Sequence, residues 1–93
     1  MDEPAELDPD RLLARLEHTL TDGYAYALLL EGESLRLERE IGQAFAGSGD
    51  PHARLAGLAD RRAAALRDLR RLRELLEALR SRTDRVRQTA EAA

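Results

Sequence analysis

Two histidines, His18 and His52, and eighteen carboxylates are the side chains of this 93-residue sequence that could hold a metal ion or carry a proton near neutral pH. The spacing that builds a dinuclear carboxylate centre inside a helical bundle is Glu-x-x-His, because it puts a carboxylate and an imidazole on one helix face. Neither histidine has it: Arg15 and Gly49 stand three residues before them. Asp22, Glu31 and Glu38 with His18 make at most a loose ligand set, and carboxylates on a solvated helix face are far commoner than metal ligands. His18 and Asp22, four apart, read as a surface contact, and His52 as a solvent-exposed residue. Without cysteine the chain has no thiol nucleophile, no thiolate metal site and no disulfide. Ser34, Ser48 and Ser81 have no base beside them, and no glycine-rich phosphate loop follows a strand, so no cofactor is implied and no catalytic group stands out.

All 15 basic residues are arginine, and eight of them fall within residues 67–87. A basic helix neutralises phosphates when its charges share one open face, and Arg67, Arg70, Arg71, Arg82 and Arg85 would be the contacts. Four acids interrupt the run, and no aromatic side chain is interleaved to stack on bases. Residues 1–50 carry a net charge of −8 and residues 51–93 one of +5, so the arginines have an acidic neighbour within the chain. An Arg-rich nucleic-acid binder is therefore the lesser reading.

These side chains must be positioned by helices. In Leu7-Asp8-Pro9-Asp10-Arg11-Leu12 the carboxylate of Asp8 can accept from orphan backbone N–H groups, Pro9 fits the first helical position, and Leu7 with Leu12 can form a hydrophobic staple. Gly47 can take the left-handed conformation that ends a helix, and Asp50-Pro51 repeats the start signal. Apolar and small residues recur in steps of three and four from Leu13 to Ala44 and again from Leu55 to Ala90, which is the coiled-coil repeat. Folding one helix back on the other pairs residues whose numbers add to 99, and small residues then mostly face large ones: Gly23 with Leu76, Ala27 with Leu72, Ala44 with Leu55. Glu40 would approach Arg61, Glu31 Arg73 and Glu17 Arg80, while Glu33 near Asp68 is unfavourable.

The expected architecture is all-α: an acidic N-terminal tail over residues 1–8, an antiparallel hairpin of helices over 9–46 and 51–89, and a tail over 90–93. Gly23, Gly32 and Gly42 each weaken the first helix by about 1 kcal/mol relative to alanine. A break at Asp22-Gly23, giving three helices, is the alternative architecture. Arg62 is the sole charged residue of the repeat. It reads either as an anion-binding group inside a bundle or as a stem lying on Leu37 with its guanidinium reaching Glu38 or Glu40.

A hairpin buries one stripe per helix, yet residues 24–30, Tyr-Ala-Tyr-Ala-Leu-Leu-Leu, are apolar around the whole circumference. Tyr24, Tyr26, Leu28, Leu29 and Leu35, with Leu66 and Leu75 of the second helix, would form an exposed patch larger than a soluble monomer usually tolerates. The expectation is a homodimer, two hairpins side by side in a four-helix bundle, serving as a helical interaction, scaffolding or adaptor protein. Kinking at Gly23 or Gly32 to fold this surface inward, or a helix of a different partner lying on it, are the other ways to cover it. A small all-helical enzyme with a pocket near Gly23, Ala27 and Ser34 is a further alternative. The acidic start lacks the pattern of a secretory leader, and no run is long enough to span a bilayer, so a cytoplasmic location without membrane contact is expected.

Overall fold

Helix α1 (Pro9–Ala46) begins where the start signal places it. In the computed structural model, which describes residues 8–47 and 52–92, Asp8 is extended and its carboxylate accepts from the Asp10 N–H at 3.1 Å. The Asp8 carbonyl accepts from the Leu12 N–H at 2.9 Å, the first bond of the helix. Residues 1–7, including Leu7 of the expected staple, lie outside the described residues, as do residues 48–51 with the Asp50-Pro51 cap.

Two local expectations need correction. Gly47 does not adopt a left-handed conformation: its φ is −77° and ψ 166°, and its N–H donates to the Gln43 carbonyl at 3.0 Å. One bond closes the last turn and the chain then leaves extended, a backbone that any residue can take. Helix α2 (His52–Ala92) continues beyond residue 89, through residues expected to belong to a tail, to Ala92. Ala90 occupies the next position of the repeat and is half-buried, and alanine and glutamate are good helix formers.

The two helices run antiparallel, and α1 passes through Gly23 and Gly32 without interruption, which removes the three-helix alternative. Gly23 has a packing role instead. A Cβ built on it would overlap Leu76 Cδ2 and lie 3.4 Å from Leu76 Cγ, so this glycine is the gap into which Leu76 fits.

Among the described residues, every buried one falls on the three-four repeat: Leu16, Ala27, Ser34, Leu37 and Ala44 on α1, and Leu58, Ala65, Leu69, Leu76 and Thr83 on α2. Ala27, Leu69 and Leu76 form one cluster with Leu20, Leu30 and Leu72 around it. Leu37, Ala44 and Leu58 form a second with Ile41 and Leu55. Thr83 is buried, and its hydroxyl donates to the Leu79 carbonyl at 2.8 Å, so the seam carries no orphan there.

Charge pairs tie the flanks. Arg73 pairs with Glu31 as expected, and Arg62 with Glu38 at 2.8 Å. Glu17 pairs with Arg87 at 2.7 Å, one heptad beyond the expected Arg80. On this flank partners add to 104, which carries Arg87 to Glu17 and Arg80 to the level of Tyr24. Glu40 turns to Arg36 within α1 at 3.6 Å, and Arg61 lies 3.9 Å from Glu33. No described helix is long and apolar enough to cross a membrane.

Candidate interaction surface

Burying one stripe of α1 leaves the rest of its apolar girdle uncovered. Of residues 24–30, Ala27 is buried and Leu30 half-buried, while the others are exposed. Tyr24, Leu28 and Leu35 project from one flank, with Leu28 67% and Leu35 57% exposed. Tyr26 and Leu29 project from the other flank, and Leu75 of α2 is also exposed. Leu66 departs from the expectation: it is half-buried, lining a depression with Leu69 and Arg73.

Phe45, 71% exposed, is a further uncovered apolar side chain of α1 and was not among the expected residues. It stands three heptads after Tyr24 on the same flank, which was the signal for it. Beside these residues runs a groove of about 450 Å³. Ala27 and Leu76 line it together with Tyr24 and Leu28, and the Glu31–Arg73 pair, Glu77 and Arg80 border it. Of the three small residues expected to frame an enzyme pocket, Ala27 alone lines this groove. Leu76 fills the space at Gly23, and Ser34 is buried in the seam.

Arg62 has its charge matched by Glu38, through Nη2 to Oε2, and its Nε is buried without a hydrogen-bond partner. That is the stem-and-reach arrangement rather than a guanidinium held open for an anion. The five arginines considered for phosphate contact are all exposed. Arg67, Arg70 and Arg71 line one shallow depression with Asp68 and Glu74. Arg82 sits apart, against Leu12, Arg15 and Thr19. Arg85 follows Arg71 by two heptads, about 21 Å along the helix. The acids sharing the Arg67 depression dilute its field.

His18 Nε2 lies 3.5 Å from Asp22 Oδ2, with both side chains exposed, and His52 is exposed at the start of α2. Among the described residues no three His, Asp or Glu side chains converge in a way that could hold a metal ion. The hydrogen bond from Arg87 to Glu17 raises the arginine's pKa above its ordinary value, against an opposing cost of desolvation, with the charges of Glu17, Asp84 and Glu91 adding to the increase. Comparison with protein-family models, with curated proteins and with solved structures finds no match to this chain.

Proposed function

We propose that this protein is a helical interaction module, a scaffold or adaptor rather than a catalyst, that works as a homodimer of hairpins forming a four-helix bundle. The observation that carries this reading is the exposure of Leu28 and Leu35 at the middle of α1, beside Tyr24 and a groove floored by Ala27 and Leu76. Closing such a patch removes apolar area worth roughly 25 cal/mol per Å² from water, and a second copy presents the same patch. Surface carboxylates paired with arginines along both flanks give the assembly solubility and offer no reactive group.

Sedimentation equilibrium at micromolar concentration tests the reading. The expected mass is twice 10.4 kDa. A single species at the chain mass would end it. Leu28→Asp combined with Leu35→Asp should return the monomer with its helical content intact.

A further inference from the structure

Outside the hairpin seam, a second three-four repeat runs along α1 through Ala25, Leu28, Gly32, Leu35, Arg39 and Gly42. At about 100° per residue its midline lies about 150° from the hairpin seam, so it faces away from α2. All six residues are exposed. The glycines are the informative ones. Gly23 is explained by Leu76, but a Cβ on Gly32 or Gly42 would meet nothing within 4 Å. Nothing in the hairpin needs Gly32, which weakens the helix, so the close approach it permits is to something outside the hairpin.

Resting on the dimer reading above, we propose that this repeat is the self-association seam, α1 packing antiparallel on α1 of a second copy about a two-fold axis level with Leu30. Residues whose numbers add to 60 then face each other. Leu28 meets Gly32 of the second copy, Leu35 meets Ala25, and symmetry repeats both contacts. A large side chain enters a small gap four times. Sliding the register by one heptad halves this match: in one direction Leu28 keeps a small partner in Ala25 but Leu35 falls on His18, and in the other Leu35 keeps Gly32 but Leu28 falls on Arg39. A surface that is complementary to itself under a two-fold rotation is what an isologous dimer requires.

Cysteine cross-linking tests the register, because the chain has no thiol of its own. Thr21 and Arg39 face each other across the proposed axis, both exposed, and neither is one of the interlocking leucines. A chain carrying Thr21→Cys and Arg39→Cys should oxidise to a covalent dimer on a non-reducing gel. Each single variant puts its two thiols 18 residues of helical rise apart, about 27 Å, far beyond disulfide reach, and should give less than a tenth as much. Equal cross-linking in a single variant would show parallel or unspecific packing and overturn the proposal. Absence of cross-linking in the double variant, in a protein that sediments as a dimer, would overturn this seam while the homodimer reading stands. A monomer by sedimentation would end both.

Discussion

Leu76 occupies, with its Cδ2 methyl, the space that a side chain at residue 23 would need, so Gly23 and Leu76 are one packing unit in two helices. This contact sets the axial register of the hairpin near its middle. It also reverses the usual expectation for glycine in a helix. Replacing Gly23 by Ala recovers about 1 kcal/mol of helix propensity but displaces a buried leucine, an overpacking cost of about 1–3 kcal/mol. Gly23→Ala should therefore lower the melting temperature, whereas Gly42→Ala, which meets open space, should raise it. Circular-dichroism melts of the two variants check the contrast. A stabilised Gly23→Ala would show that Leu76 yields at no cost.

Leu37 is fully buried and Leu29 is 69% exposed, eight residues away on the same helix. Leu37→Ala should cost about 2–5 kcal/mol by opening a cavity under Ile41 and Leu58. Leu29→Ala should change hairpin stability by less than about 0.5 kcal/mol. Urea titrations of both variants measure the difference, and equal effects would mean that the seam is not the core.

Arg62 interrupts an otherwise uncharged seam, with its Nε orphaned and its charge answered by Glu38. Its side chain is 37% exposed, so the pair is partly screened by water. Arg62→Leu should stabilise the hairpin by up to about 1 kcal/mol, since an apolar side chain there removes a desolvation cost. The melting temperature of the variant should also depend less on added salt. A loss of stability on this substitution would show that the Glu38 contact outweighs the burial.

Gly32→Leu separates hairpin stability from self-association. Within one hairpin the new side chain meets nothing within 4 Å and improves helix propensity, so the helical content of the hairpin should hold. Across the proposed axis it collides with Leu28 of the second copy and should weaken the dimer at least tenfold by sedimentation. An unchanged dissociation constant would place the contact elsewhere.

The seam was legible from residue spacing alone because a single helix pair has few ways to bury its leucines: the ten buried residues among those described, from Leu16 to Thr83, stand where steps of three and four put them. The start of α1 at Asp8-Pro9 was legible for the same kind of reason, a cap whose chemistry is local. The flank pairs were less so. Arginine is long enough to reach carboxylates at more than one level, so Glu17 reached Arg87 while spacing alone pointed to Arg80. Gly47 was misread because a glycine after a helix permits the left-handed turn without requiring it. Leu66 was expected to be exposed and is half-buried, because positions beside the seam are decided by what stands opposite them, which no periodicity states.

The fold-back brings the beginning of α1 and the end of α2 together, as the contact between Glu17 and Arg87 shows. Cargo fused to either terminus would thus emerge at the same pole of a stiff rod. When two such rods lie head to tail about Leu30, their Pro9 residues are separated by 42 residues of rise, about 63 Å. The pair would then act as a molecular strut, fixing the distance between whatever is tethered to its opposite tips.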